Sequence, residues 1–330
     1  MLLHAPMTID IAFKTPDALV FATDGLATVM EVDARGQERF LSNMANVEKL
    51  VPLSGGQVLA MFNGVGSVGG GTVATSLRAF DDRAPLRLGE SVGDYARRLH
   101  TALEEQALRR LGALPRPFHL ILGGFSPQPE DGVDPPTLWS IQWSVDPALP
   151  TTPTPILHTQ EEGGPVRHRF GVHYAGVTEA VARFVEGFDP ALPERLAVLL
   201  AGTDEEDSPP GLLEQLAQEA RRTGTRAEPL GNEEARQLAR RYARRVLRAG
   251  FFSAAQEPLS EHFSLQAAVD YCVFLAQCAY ARENLSPTRR GAPRVGSTLQ
   301  VAYAVPGRPA HLLAGIRLGV RLQGIDGGLP

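Results

Sequence analysis

Two short runs near the start constrain the fold more than any other stretch: Met7-Thr8-Ile9-Asp10-Ile11-Ala12-Phe13 and Ala18-Leu19-Val20-Phe21-Ala22-Thr23-Asp24. Both are rich in β-branched and aromatic residues and too short for a helix. Thr15-Pro16-Asp17 lies between them and reads as a turn, because proline pre-sets φ and a side-chain oxygen can bond the backbone nearby. The pattern predicts strands over about 8–14 and 18–24. A threonine then opens the first strand, an acid closes the second, and Lys49 precedes a third.

Further along, Val47–Leu53 and Gln57–Phe62 read as another hairpin turned at Ser54-Gly55-Gly56, after a polar connection through Asp33-Ala34-Arg35-Gly36. Helices are predicted over about 72–81 and 91–112, the second with Ser91 as N-cap and Gly112 just past its end. Strands come next at Phe118–Phe125, Thr137–Trp143 and Val172–Ala175, then a helix over about 177–187. A last helix runs from Ser264 to about Arg282, before strands at Leu299–Val305 and about 312–321. Trp139 and Trp143 share one strand face, as core or subunit contact. The order is hairpins, helix pair, strands, helix pair, strands, which is not the β-α alternation of a parallel sheet. It predicts an α+β fold of antiparallel sheets covered by helices.

From Asp189 to His262 the texture changes. The acidic run Asp204-Glu205-Glu206-Asp207 and Pro209-Pro210 bracket helical patterns at about 211–222 and 232–249, so 189–263 reads as a helical insertion in a single domain. Residues 1–7 read as a leader or as a start placed upstream of the true one, Met7.

Composition narrows the function classes. The net charge of −5 carries no nucleic-acid signature, and the basic run Arg236–Arg248 is interleaved with apolar residues as on a solvated helix face. Cys272 and Cys278 lie in one helical pattern and suggest a reducing compartment. No apolar run approaches about 18 residues, and no signal-peptide pattern opens the chain, so a cytoplasmic location is expected. The histidines lack ligand-pair spacing, and 204–207 lacks the glycine and closing glutamate of a calcium loop. No metal and no cofactor are expected.

Two segments bear on chemistry. A threonine that becomes the chain's own N-terminus needs no histidine, because its α-amine serves as base. A free α-amine titrates near 7.7–8.0, and a neighbouring ammonium such as Lys49 lowers that value. Gly64-Val65-Gly66-Ser67-Val68-Gly69 matches the dinucleotide fingerprint G-x-G-x-x-G, after a strand and before a helix. The next element is a second helix rather than a strand, and Asp81 and Asp82 stand where no ribose-binding acid belongs, so the glycines read as a tight turn.

In order and spacing, these segments resemble a proteasome β-type subunit of the N-terminal-nucleophile hydrolases. MTIDIAFKTPDALVFATDGLAT resembles that family's opening threonine strand, and NVEKLVPL its lysine-bearing strand. VLAMFNGVGSVGGG is similar to its glycine turn and first helix. FHLILGGF, TLWSIQW, VHYAGVTEAVARFVEG and SLQAAVDYCVFLAQCAYAREN continue the match over nearly the whole chain outside 189–263. The resemblance implies a four-layer αββα sandwich of two antiparallel sheets, a self-assembled homo-oligomeric ring, and threonine-type hydrolysis of a peptide or other amide. It implies Thr8 as nucleophile and, through its amine, base. Asp24 and Lys49 would be the supporting acid and cation, Gly64 an oxyanion donor, and Glu283 a second acid orienting the amine.

Three positions depart from the family pattern. Leu26 stands where an arginine is usual. Gly176-Val177-Thr178-Glu179-Ala180 replaces a Gly-Ser-Gly-Ser turn, and Met7 rather than glycine precedes Thr8. These departures imply weak catalysis. They leave two rival readings: a non-catalytic assembly protein that binds a partner through 189–263, and a nucleotide-binding enzyme built on residues 64–69.

Overall fold

A computed structural model describes residues 8–32, 38–64, 66–68, 71–111, 118–126, 136–143, 153–156, 158–159, 167–168, 171–176, 179–185, 263–285 and 295–318. The chain divides into two compact units, Met1–Val181 with Pro258–Pro330, and Ala182–Glu257. The expected leader at 1–7, the body of the insertion expected at 189–263 and the acidic run 204–207 lie outside the described residues.

The first unit is α+β, with two five-stranded antiparallel sheets. Its sheet strands are β1 (Ile9–Lys14), β2 (Leu19–Asp24), β3 (Leu50–Leu53), β4 (Val58–Asn63), β5 (Phe118–Gly124), β6 (Thr137–Trp143), β7 (Thr154–Pro155), β8 (Gly171–Gly176), β9 (Thr298–Ala304) and β10 (His311–Arg317). One sheet has the order β8-β1-β2-β9-β10, the other β7-β6-β5-β4-β3. The opening hairpin forms where the sequence places it. Thr15 closes its turn by donating backbone N–H to Ala18 O at 2.9 Å and accepting Ala18 N–H on Oγ1 at 3.0 Å. The second hairpin turns at Ser54-Gly55-Gly56, all three with positive φ. Among the strands outside the expectation, Ala27–Val32 and Glu38–Met44 pair as a ribbon on either side of the expected polar connection. A bulge between Val29 and Met30 breaks the strict alternation by which a strand is read from sequence.

The alternation of side chains about a strand assigns the layers. Ala12, Leu19, Phe21 and Ala302 of the first sheet form one core cluster with Leu59, Met61, Ile121 and Leu138 of the second, so the sheets pack face to face. The other face of the second sheet, including Phe62, Phe118, Trp139 and Trp143, packs on α1 (Val73–Arg83) and α2 (Val92–Leu111). Both tryptophans are thus core residues. Val92, Tyr95, Ala96, Leu99 and Leu103 give α2 its apolar stripe. Ser91 caps α2 as expected, Oγ accepting the Asp94 N–H at 3.0 Å.

The described helix α3 (Glu179–Val185) lies within the span expected over about 177–187. The last helix, α4 (Leu265–Leu285), packs on the remaining face of the first sheet, where Phe13 meets Phe263 and Tyr271 at ring-centroid distances of 5.1 and 5.8 Å. Strands β1 and β2 are consequently buried on both faces. At about 1.5–3 kcal/mol per fully buried large apolar side chain, these clusters outweigh any single buried ion pair as a source of stability. Among the described residues no helix is long and apolar enough to cross a membrane.

Candidate active site

Thr8 immediately precedes β1, and the two-residue period puts its side chain with those of Asp10 and Ala12, toward the second sheet. The β1–β2 register sets Asp10 opposite Thr23, which brings Asp24 level with Ile9. The Ile9 N–H accordingly donates to Asp24 Oδ1 at 3.1 Å. Asp24 Oδ2 accepts the N–H groups of Leu26 at 3.1 Å and Gly296 at 2.7 Å. Lys49 enters from the second sheet, its Nζ 3.3 Å from Asp24 Oδ1. The same Nζ donates to Thr8 Oγ1. Thr8, Asp24 and Lys49 are therefore one hydrogen-bonded group, and all three are buried.

This geometry fixes roles. Asp24 already accepts three backbone N–H groups and the lysine, so its charge is committed to holding Lys49 and the ends of β1 and β2. Its hydrogen bonds go to backbone N–H groups and to Lys49 rather than to Thr8 Oγ1. Lys49 is an ammonium aimed at a hydroxyl oxygen, an arrangement that stabilises charge developing on that oxygen. Gln300 on β9 sets the lysine's backbone. Its Oε1 accepts the N–H groups of Lys49 at 3.0 Å and Leu50 at 3.2 Å, and its Nε2 donates to Val47 O at 2.6 Å.

Gly64 and Glu283 are placed one residue along the chain from side chains tied into the neighbouring structure. Gly64 is exposed, with φ +94°, a conformation that favours glycine. It comes directly after Asn63, whose Nδ2 donates to Asp10 Oδ2 at 2.5 Å. Glu283 is buried near the end of α4. Its neighbour Asn284 donates to Val295 O at 2.6 Å, next to the Gly296 N–H that reaches Asp24.

Several residues to which the sequence assigned no role in the chemistry lie around this group. Asp10 is fully buried and accepts Thr23 Oγ1 as well as Asn63 Nδ2, each at 2.5 Å. Burial pushes its carboxyl up to about 6, against the pull of the Thr23 and Asn63 hydrogen bonds and of Lys49. Its two-residue offset from Thr8 was the available signal. Gly176, opposite Ile9 at the end of β8, has φ +86° and lies against the Thr8 carbonyl. Farther between the sheets, His119 Nε2 and Ser140 Oγ are hydrogen-bonded at 2.8 Å, and the His119 and His173 rings meet edge to face at 6.2 Å. Desolvation pushes both histidines down to about 4.

The glycine loop has other commitments. Ser67–Val68 pairs with Gly71–Thr72 as a small ribbon. At the start of α1, the Val73 N–H donates to Gly66 O at 3.1 Å and the Thr75 N–H to Thr72 Oγ1 at 3.1 Å. Two donors that a pyrophosphate would need are thus already used. Among the described residues no three His, Cys, Asp or Glu side chains converge in a way that would hold a metal ion. Comparison with protein-family models and with curated proteins gave no match.

Proposed function

We propose that this chain is a threonine-type N-terminal-nucleophile hydrolase acting on amide bonds, with the four-layer αββα architecture of proteasome-type subunits and a ring-like homo-oligomeric assembly. The observation that carries the reading is the Lys49 ammonium on Thr8 Oγ1, held there by Asp24. Residues 8, 24 and 49 have independent structural uses, but a purely structural lysine has no need of a threonine hydroxyl at a strand's first residue.

In a chain beginning at Thr8, Oγ1 attacks the substrate carbonyl carbon and its proton passes to the Thr8 α-amine. The Gly64 N–H steadies the oxyanion. Collapse breaks the C–N bond, the amine returns the proton to the leaving nitrogen, and water then hydrolyses the threonine ester. Lys49 lowers the cost of charge on Oγ1 throughout, and removal of an initiator Met7 exposes the amine.

The test is wild type against Thr8→Ala on a panel of peptide amides, with protein whose intact mass begins at Thr8. Hydrolysis abolished in Thr8→Ala and partly kept in Thr8→Ser supports the reading. Equal rates in wild type and Thr8→Ala leave the non-catalytic assembly protein in its place. Light scattering checks the assembly, and a 35.5 kDa monomer at micromolar concentration speaks against a ring.

A further inference from the structure

Two contacts cross the gap between the sheets side by side. Lys49 of the second sheet reaches Thr8 of the first, and Asn63 reaches Asp10. Their spacing is set on both sides by backbone. Thr8 and Asp10 are two residues apart on one strand face, and the Phe62 N–H donates to Lys49 O at 3.2 Å, which places Asn63 beside the lysine. The lysine contact has a chemical use in the proposed reaction, whereas the Asp10 contact lies one residue from Gly64 and has none there.

A carboxylate fully buried in an inter-sheet layer is costly unless its hydrogen bonds are satisfied. Leucine or valine would fill that layer at lower cost, as the apolar side chains of Leu19, Leu59 and Met61 do elsewhere in it. Asp10 instead binds Thr23 on its own sheet and Asn63 on the other. The carboxylate is thereby a rigid clamp between β2, beside Asp24, and the last residue of β4, where the chain turns out through the left-handed Gly64.

We propose that Asp10 is a positioning residue: through Asn63 it fixes the Gly64 turn relative to Thr8, so that the Gly64 N–H is held where a substrate carbonyl oxygen develops charge. This deepens the proposed function and rests on it. A donor held by a strand end alone is free to move, and a displacement of about 1 Å costs on the order of 10² in rate.

The test compares two readouts in wild type, Asp10→Ala, Asn63→Ala and Asp10→Asn, all beginning at Thr8. The first is hydrolysis of a small peptide amide, which needs the nucleophile and the oxyanion donor. The second is labelling by a peptide vinyl sulfone. There Oγ1 adds across the C=C bond and its proton passes through the amine to the carbon next to sulfur, with no carbonyl oxyanion formed. Asp10→Ala and Asn63→Ala are expected to lower amide kcat at least about tenfold, toward the 10²–10³ of a lost oxyanion donor. Their labelling should stay within about threefold of wild type, a range small against that loss. Asp10→Asn should keep both rates, because its amide still accepts from Thr23 and donates to a flipped Asn63.

Labelling also certifies the fold of each variant, and Asn63→Ala, a half-buried strand end, covers the case in which Asp10→Ala fails to fold. Amide hydrolysis unchanged in Asn63→Ala overturns the proposal while leaving the hydrolase intact. So does labelling that falls in step with hydrolysis. Wild-type protein that neither hydrolyses nor labels overturns the hydrolase, and this inference with it.

Discussion

Gly176 lies so close to Thr8 that a Cβ built on it would overlap the Thr8 carbonyl oxygen. The edge strand β8 ends against the residue on which the proposed chemistry depends, and only a glycine permits that approach. Gly176→Ala must displace backbone on one side or the other. It is expected to cost well over the ~1 kcal/mol of an ordinary misplaced alanine and to remove Thr8-dependent hydrolysis. Gly307→Ala is the control, because Gly307 also has positive φ but open space around it. Thermal melts of the two variants separate close approach from backbone conformation, and equal losses would refute the contact.

Lys49 is buried with Asp24, so its removal acts on stability as well as rate. Lys49→Met leaves the Asp24 carboxylate buried without its cation. That is expected to cost about 3 kcal/mol in urea unfolding and about 10²–10³ in amide hydrolysis. A variant with full stability and full activity would show that the ion pair has neither use.

Gln300 satisfies three backbone groups around Lys49 from the far end of the sequence. Gln300→Ala strands all three, at an expected cost of about 2–3 kcal/mol. It should lower hydrolysis while leaving KM nearly unchanged, since Lys49 rather than the substrate loses its support. Gln300→Glu keeps the two acceptor bonds and should fall between alanine and wild type in denaturation and kinetic measurements.

Among the described residues, three buried groups with shifted pKa values bear on acid stability. His119 and His173, both pushed down to about 4, take up protons first in the unfolded chain. Between pH 6.5 and 4 each therefore removes about 3 kcal/mol as the pH falls. Asp10, raised to about 6, takes up its proton first in the folded chain and returns about 3 kcal/mol between pH 6 and 3.8. The three together leave a net loss of about 3 kcal/mol from neutrality to pH 4. Urea midpoints at pH 7, 5 and 4 check this. His173→Gln should flatten the decline and Asp10→Asn should steepen it.

Local chemistry made the hairpins and helix caps legible in the sequence. The β-branched runs flanking Thr15-Pro16-Asp17, and Ser91 before the apolar stripe of α2, act over a few residues, so their effect can be read without the rest of the chain. The nearness of Thr8 to Asp24 comes from the same hairpin, because the turn sets the register that places Asp24 opposite Ile9. Asp10 was not legible in this way. An acid in a strand ordinarily marks a solvated face, and only the covering of β1 on both sides made its carboxylate a buried one.

The tertiary structure alone decided what meets Thr8 and its neighbours. Lys49, Asn63, Gln300 and Gly296 reach the site across 41, 53, 251 and 272 residues of sequence, counted to the partner each one contacts. Contacts of that span have no local signature. They exist because two sheets, each with an apolar face, exclude water by packing on each other. Once that happens, the polar groups at the rim of the shared core must find partners among whatever the packing brings near.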